Sequence, residues 1–347
     1  MPTSLFGGVI QAALLGGQDS VTPLIAILYS TVINVVGDFL LVKHYGMGLR
    51  GAAIATLAAQ VVGTMALLKP ARERLVRDHS FGLIKKPKVT SETVTGRPFL
   101  AFAAPVLTLI LGKLAAFGFL TNSAAGVPGQ PTPLASHQII LSLFFFASPF
   151  LEVISQTAQT FIPAFLAPVA DHVAKMKQKN PKYNENDDKA VAPWTSAAFD
   201  VGSTLLKLGF ISGSIIATLA SLVPFAKAGL LTSDTSLQAA VKPLAKYLWW
   251  GAFLTAPVAV SEGILLARRE LKYLASVYLV STALLPPVLW RIKTSGGNIE
   301  QIWACFAIFQ LFRALCFAGR IWTGTFARRL GGLLGLTKTT PITGKAS

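Results

Sequence analysis

Long apolar stretches constrain the fold of this chain more than any other feature. Seven or eight of them reach the roughly 20 residues that cross a bilayer as a helix. Charged residues make up only 13% of the chain, against about 25% in ordinary soluble domains. The stretches fall at about 23–42, 48–68, 98–120, 136–166, 203–225, 245–267, 272–290 and 300–322. Backbone groups in hydrocarbon need internal partners, and the alternation of a membrane β-barrel is absent, so we predict an all-α, polytopic membrane helix bundle.

Two apolar segments depart from a simple span. The fourth stretch is long and contains Pro149 and Pro163, which predict a kink or an early end there. Residues 5–17 are apolar but too short to cross a membrane, which indicates the tail of a span. A signal peptide is disfavoured, because no basic region precedes this segment.

The positions of the basic residues account for the net charge of +16. When the spans are threaded alternately through a membrane, four basic regions share one side. These regions are residues 69–97, 167–200, 268–272 and the tail after residue 319. They carry 21 of the 31 Lys and Arg residues, the opposite loops carry 7, and Lys113, Lys207 and Arg313 lie inside spans. The positive-inside rule places the basic side toward the cytosol or its equivalent, so we expect the lipid bilayer as a partner and no nucleic acid.

Motifs for enzymatic chemistry are absent from the sequence. It has no Gly-x-Ser-x-Gly elbow, no phosphate-binding loop followed by Lys and Ser or Thr, and no Cys or His cluster with metal-ligand spacing. Cys305 and Cys316 share one apolar segment and are interpreted as small buried hydrophobic residues. We therefore expect no enzyme, no metal and no cofactor. Any pumping would be secondary and driven by an ion gradient.

A weak internal repeat indicates how the spans are organised. The junction at residues 14–22 resembles the one at residues 265–273, and both join an apolar segment to a span that starts on the basic side. Six spans separate them, as expected for two parallel repeats of about six helices. On this interpretation the chain starts late in the first repeat and lacks about four helices at its N-terminus.

Six short motifs stand in order along the chain. They are Gly17-Gln18-Asp19-x-x-x-Pro23, Asn34-x-x-x-Asp38, Gly51-Ala52-Ala53-Ile54-Ala55-Thr56, Leu134-Ala135-Ser136-His137-Gln138-Ile139, Leu231-Thr232-Ser233-Asp234 and Glu262-Gly263-Ile264-Leu265-Leu266. Together they resemble the multidrug and toxic compound extrusion (MATE) transporters from about residue 9 to residue 325. Residues 155–163 are similar to the plastid-type plant and algal branch of that family.

The resemblance implies twelve helices in two six-helix lobes, with alternating access coupled to entry of protons or sodium ions. It divides the chain into a remnant of the N-terminal lobe (1–68), a basic linker (69–97), a C-terminal six-helix lobe (98–325) and a basic tail (326–347). The first three helices of the family and most of the fourth have no counterpart in the sequence, which implies an N-terminal truncation. The resemblance also suggests a plastid membrane, or otherwise the plasma or vacuolar membrane.

Charged residues inside the spans are the candidates for binding a solute or a coupling ion, since each costs at least about 2.5–3.5 kcal/mol at mid-bilayer. Glu262 could exchange a proton or attract a solute, and the resemblance places an acidic residue in this helix. The alternative is an edge carboxylate paired with Arg268 or Arg269. Lys113 would be neutral or paired, most simply with Glu152 on the adjacent helix. The resemblance to plant organic-anion transporters, which carry a basic residue near this position, favours an anionic solute.

Polar residues complete the candidate set. Gln156 and Gln159 form a polar stripe with Glu152 that should face the bundle interior, either lining a solute path or bonding a neighbouring helix. Asn34 and Asp38 are spaced i, i+4 on the first full span, where packing of the helix end is the favoured interpretation.

Three further residues receive structural interpretations. Lys207 and Arg313 lie within reach of span ends and are expected to snorkel toward the interface. His137 opens a helix but has no second histidine or carboxylate close in sequence, so no metal site is expected there.

These observations predict a secondary transporter that exports a small organic solute, a xenobiotic or an organic anion, by antiport with protons or sodium ions. Two alternatives stay open. One is a lipid-linked oligosaccharide flippase of the wider superfamily, which should show a more cationic cavity. The other is a non-transporting membrane protein that assembles with a partner. No oligomeric state is predicted.

Overall fold

Within the residues that the computed structural model describes, eight helices are long and apolar enough to cross a membrane. The described residues are 2–17, 19, 21–73, 96–180 and 190–333, without the side chains of 2, 97–99, 102, 192 and 322–333. The helices are α1 (Pro2–Gly16), α2 (Val21–Asp38), α3 (Gly48–Ala71), α4 (Gly96–Ala125), α5 (Thr132–Lys179), α6 (Ala192–Ala226), α7 (Thr235–Val241), α8 (Ala245–Ala267), α9 (Leu271–Thr294) and α10 (Ile299–Leu333). Each predicted span corresponds to one of the eight, which confirms an all-α, polytopic membrane fold.

The chain divides into two compact units, unit 1 (Met1–Thr93) and unit 2 (Val94–Ser347). The boundary falls inside the predicted linker (69–97). Most of that linker and most of the predicted tail (326–347) lie outside the described residues, so their limits stay predictions.

Unit 1 contains α1, α2 and α3. Residues 5–17 lie mainly in α1, whose 15 residues are too few for a span, and the interpretation that they are the tail of one stays a prediction. A π-helical turn at Phe39–His44 extends α2, so the first span runs from Val21 to His44. Small residues let α2 and α3 approach closely, because a Cβ on Gly37 would lie 2.8 Å from the Cβ of Ala55.

The first motif of the family resemblance forms the start of α2. The Oδ1 atom of Asp19 accepts a hydrogen bond from the backbone N–H of Thr22 at 3.1 Å, which satisfies one of the free donors at the helix N-terminus. Pro23 occupies the first turn, where its missing N–H costs little. Gln18 of the same motif lies outside the described residues.

Unit 2 is built around α8. The apolar window of the span that contains α8 is 72% buried, against 17% for the span of α4. Helices α5, α6 and α10 pack against α8, and α9 packs against α4 and α10. Glycines permit part of this packing, since a Cβ on Gly213 of α6 would lie 2.6 Å from the Cβ of Ala256 on α8. A polar residue on α8 is therefore held in the interior of the unit.

Helix α5 is a single element of 48 residues. It continues through Pro149, Pro163 and Pro168 to Lys179, so of the two predicted outcomes the early end is wrong, and the kink stays a prediction. Each proline removes only one backbone donor, and prolines are tolerated inside membrane helices when neighbouring helices pack along them. Helices α6 and α8 pack along α5 in this way.

The interior of unit 2 has two parts. One contains the aromatic cluster, defined as Phe117, Phe144, Trp303 and Phe306, in which contacting ring centroids lie 5.1–5.7 Å apart. It lies toward the helix ends that face the weakly basic loops. The other part lies toward the basic ends and contains Tyr278 and aliphatic residues of α5, α8 and α9. The charged candidates belong to this second part.

Candidate functional site

Two glycines bring the charged candidates into a narrow space between helices. Gly112 precedes Lys113 on α4, and a Cβ there would lie 3.1 Å from the nearest atom of α9. Gly263 follows Glu262 on α8, and a Cβ there would lie 2.5 Å from the carbonyl oxygen of Ser155 on α5. Because glycine has no side chain, α4 approaches α9 and α5 approaches α8 closely at these points.

Lys113 contacts two carboxylates. Its Nζ donates a hydrogen bond to Oε1 of Glu262 at 3.0 Å and lies 3.6 Å from Oε1 of Glu152. The Glu262 side chain is only 9% exposed, whereas Lys113 is 34% and Glu152 is 47% exposed. The expected pairing with Glu152 is therefore present, but the shorter and more buried contact is with Glu262.

Tyr278 is the second partner of Glu262. Its hydroxyl donates to Oε2 at 2.5 Å, so each carboxylate oxygen has its own donor. Tyr278 is completely buried on α9. The sequence interpretation missed this residue, although a tyrosine in mid-span is itself a signal, because its hydroxyl needs a hydrogen-bond partner when buried.

Arg313 is buried, and the expectation that it snorkels is wrong. The residue is 5% exposed, and its guanidinium carbon lies 4.8 Å from the ring centroid of Tyr278 and 4.4 Å from that of Phe309. The guanidinium also donates to Gln310, whose amide donates to Thr255 of α8. These contacts hold the side chain inside the unit because α10 turns this face toward α8 and α9. The other snorkelling candidate, Lys207, is exposed on α6.

The alternative in which Glu262 pairs with Arg268 or Arg269 is not observed. Arg268 instead pairs with Glu270 in the turn after α8, with Nε 3.2 Å from Oε1. Glu270 also accepts from Nε of Arg320 at 2.5 Å. The basic turn therefore has its own carboxylate, and Glu262 lies deeper with Lys113.

We call Lys113, Glu152, Glu262, Tyr278 and Arg313 the charged cluster. It contains two basic and two acidic side chains, which balance when all four are ionised. The ammonium group and the phenol both stabilise an ionised Glu262. A proton on Glu262 would weaken both contacts and leave Lys113 with one ionised carboxylate. The arrangement can therefore exchange a proton or another cation at Glu262, and Lys113 then pairs with Glu152 alone.

The chain is similar to a curated Arabidopsis thaliana protein along nearly its whole length. It is 29% identical to Protein DETOXIFICATION 47, chloroplastic, over 99% of this chain and 56% of that protein. The chain thus spans about half the length of this relative. No family model matches the chain.

Two solved structures share its fold. A MATE protein crystallised in complex with MaL6 matches with a TM-score of 0.63 at 17% identity, covering 96% of this chain and 67% of that chain. This chain thus has the fold of a MATE protein. A MOP superfamily transporter from Pyrococcus furiosus matches with a TM-score of 0.60 at 16% identity, covering 86% of this chain and 62% of that chain. The resemblance inferred from the motifs is confirmed, and the chain is an integral, multi-pass membrane protein.

The two candidate glutamines lie outside the charged cluster. Gln156 and Gln159 are exposed on α5, and Gln159 donates to Ser155 of its own helix at 3.3 Å. Within the described part of the chain, neither side chain bonds a neighbouring helix. The interpretation that they line a solute path stays a prediction.

Asn34 and Asp38 belong to unit 1. Both are half-buried on α2, one turn apart. The Oδ1 atom of Asp38 is buried and has no hydrogen-bond partner among the described residues. The neighbouring Gly37 packs on α3, and the packing role expected for Asn34 and Asp38 stays a prediction.

His137 lies beside the aromatic cluster. It is 1% exposed, its Nε2 lies 3.0 Å from Oγ1 of Thr121, and its ring centroid is 5.5 Å from that of Trp303. Among the described residues, no group of three His, Cys, Asp or Glu side chains could hold a metal ion. The contacts of His137 are those of a packed interior residue.

Proposed function

We propose that this chain contributes to a secondary transporter that exports small organic solutes in exchange for protons or sodium ions. The observation that carries the proposal is Glu262, a buried carboxylate with one donor on each oxygen, on the central helix of an apolar unit. An ionisable side chain inside a membrane is costly, and such residues mark ion and solute pathways. The MATE fold supports a transport role, and rocking of two lobes about a central cavity would supply alternating access.

The charge of the exported solute has to be inferred from the residues of the site, because the fold does not determine it. The Pyrococcus furiosus relative is described as having a binding pocket of reverse polarity that suggests a different function, so pocket charge varies on this fold. Here the partly exposed Lys113 can bind the carboxylate of a solute, and Arg313 adds a second positive charge nearby. When Glu262 carries a proton, the charged cluster has two positive charges and one negative charge, which favours an organic anion.

Proteoliposomes that contain the purified chain test the proposal. Efflux of a fluorescent organic anion and of a cation of similar size is measured under a pH gradient and, separately, under a sodium gradient. We expect gradient-driven efflux of the anion. The Glu152→Gln and Glu262→Gln double variant should fall to the rate of empty vesicles. Glu300→Gln is the matched control, because this carboxylate pairs with Lys246 at 3.2 Å at the opposite end of the helices.

Each other result favours a different reading. Full activity in the double variant contradicts the role of the two carboxylates. Movement of a lipid-linked oligosaccharide analogue favours a flippase. Absence of any transport by the wild-type chain favours a membrane protein that assembles with a partner.

We also infer that the protein resides in a plastid membrane. Its Arabidopsis thaliana relative is named as chloroplastic, and residues 155–163 resemble the plastid-type branch. Immunoblots of purified plastid envelopes, plasma membrane and vacuolar membrane measure its distribution. Enrichment in either of the last two fractions contradicts the inference.

A further inference from the structure

Arg313 is a buried cation without an acidic partner. Within the part of the chain that the structure describes, no carboxylate oxygen lies within 4 Å of its guanidinium, and its Nε and Nη1 atoms have no hydrogen-bond partner. An uncompensated charge inside a membrane protein is costly, so such residues usually serve a cavity, a partner or a function. The proposed exchange at Glu262 does not by itself use Arg313.

Tyr278 stands between Arg313 and the carboxylate. The guanidinium carbon lies 4.8 Å from the Tyr278 ring centroid, and the hydroxyl of the same ring donates to Glu262 at 2.5 Å. A cation against an aromatic face is attracted to the ring electrons. It also draws electron density from the phenol, which strengthens the hydroxyl as a donor to the ionised carboxylate. Arg313 can therefore act on Glu262 without touching it.

A hydrogen-bonded chain fixes the guanidinium relative to α8. Arg313 donates to Gln310, the Gln310 amide donates to Thr255, and the Thr255 hydroxyl donates to the carbonyl oxygen of Gly251 at 2.7 Å. Thr255 and Glu262 are separated by about two turns of one helix. The same helix thus anchors the guanidinium and carries the carboxylate.

We propose that Arg313 is a positioning residue for Glu262, which acts through Tyr278 to set the pH range over which this carboxylate exchanges its proton. The inference rests on the proposed function, in which Glu262 is the exchanging group. The charged or titratable groups around Glu262 are Lys113 from α4, Glu152 from α5, Tyr278 from α9 and Arg313 from α10. Helix α6 presents glycines to α8 near this site.

Infrared difference spectroscopy of the purified protein against pH measures the protonation of Glu262 without requiring transport. The band of its protonated carboxyl group is identified by its loss in Glu262→Gln. Arg313→Met should move the midpoint of this band to higher pH by about half a unit or more, because a nearby positive charge shifts a carboxyl titration by about 1–3 units and Arg313 acts at one remove. Arg313→Lys, which restores the charge, should recover at least half of the shift.

Three comparisons make the test specific. Arg291→Met removes an arginine at the far end of α9 and should leave the midpoint unchanged. In a Tyr278→Phe background, Arg313→Met should produce at most half of its original shift, because the hydroxyl that links the two groups is gone. Arg313→Gln is the second neutral variant if Arg313→Met does not fold, since it can still bond Gln310.

Coincident midpoints for the wild type and a neutral Arg313 variant overturn the proposal. An undiminished shift in the Tyr278→Phe background overturns it as well, and so does a wild-type spectrum without a Glu262 band at any pH. A band that titrates as expected in a protein that moves no solute overturns only the proposed transport function. A purely structural role for Arg313 would lower the yield of folded protein and leave the midpoint in place.

Discussion

The aromatic cluster and the charged cluster of unit 2 share the three helices α4, α5 and α10, and the charged cluster also includes residues of α8 and α9. On each shared helix, one phenylalanine of the aromatic cluster pairs with one charged residue. The pairs are Phe117 with Lys113 on α4, Phe144 with Glu152 on α5, and Phe306 with Arg313 on α10. The members of a pair are separated by about one or two helical turns, so they occupy the same helix face at different depths.

The two clusters differ in position along the same helix faces, and this difference separates helix packing from proton exchange. The aromatic cluster is formed by neutral rings in mutual contact, which hold α4, α5 and α10 in register. The charged cluster includes the partly exposed Lys113 and Glu152, whose contacts can rearrange without opening the aromatic packing. We therefore expect stability to depend mainly on the first cluster and proton exchange mainly on the second.

Truncation of Phe306 should have the largest effect on stability. The side chain is 1% exposed and contacts Phe117, Phe144 and Trp303, so Phe306→Ala leaves a cavity that we expect to cost about 3 kcal/mol. Thermal unfolding in detergent measures the loss, with Phe146→Ala as the matched control because Phe146 is 73% exposed. Equal destabilisation by the two variants, or a moved midpoint of Glu262 protonation in Phe306→Ala, would break the division between the clusters.

A methyl group at Gly263 should have the next largest effect. Gly263→Ala places a Cβ 2.5 Å from the Ser155 carbonyl oxygen, and the α5 backbone has to move, which we expect to cost about 1–3 kcal/mol. The same displacement would separate Glu262 from Glu152. Gly118→Ala is the control, since no atom lies within 4 Å of a Cβ at that position of α4. A melting temperature of Gly263→Ala equal to that of the control would show that α5 and α8 are not held at this distance.

The number and type of helices could be predicted from the sequence because hydropathy over about 20 residues reports directly on membrane crossing. The pairing of Lys113 with Glu152 was predictable because a buried ammonium needs a carboxylate and adjacent spans offered one. For Glu262 the sequence left two positions open, the interior and the membrane edge, and the burial of the span that contains α8 decides for the interior. The first two conclusions depend on composition and order along the chain.

The roles of Tyr278 and Arg313 could not be predicted, because one sequence does not specify the rotation of a helix about its axis. By count, Arg313 lies nine residues before the end of its predicted span, which is compatible with snorkelling if it faces lipid. It instead faces α8 and α9, where it contacts the Tyr278 ring, and it donates to Gln310 of its own helix. The length of α5 was also mispredicted, since packing against α6 and α8 outweighs the local effect of its prolines.

Double-mutant cycles should rank the two ion pairs of Lys113 by burial. Combining Lys113→Gln with Glu262→Gln should give a coupling free energy of about 1–3 kcal/mol, because both groups share a short contact in the interior. The cycle with Glu152→Gln should give less than about 1 kcal/mol, since that carboxylate is 47% exposed and its contact is 3.6 Å long. Unfolding of the single and double variants in detergent measures both values. The opposite order would make Glu152 the main partner of Lys113 and shift the exchange site toward α5.

The cap of α7 lies outside both clusters and should have the smallest effect. Asp234 accepts hydrogen bonds from the hydroxyl and backbone N–H of Ser236, which lower the pKa of the carboxyl group below its ordinary value. A lowered pKa means that the cap stabilises the fold above the unfolded-state pKa and loses this contribution as the pH falls through the folded-state value. Asp234→Ala should therefore lower the melting temperature by less than about 2 °C at neutral pH. The difference from wild type should vanish in acid, and Asp234→Asn, which keeps an acceptor, should retain part of the cap at every pH. A loss as large as that of Phe306→Ala would show that the non-basic ends of the helices depend on this loop and not on the aromatic cluster.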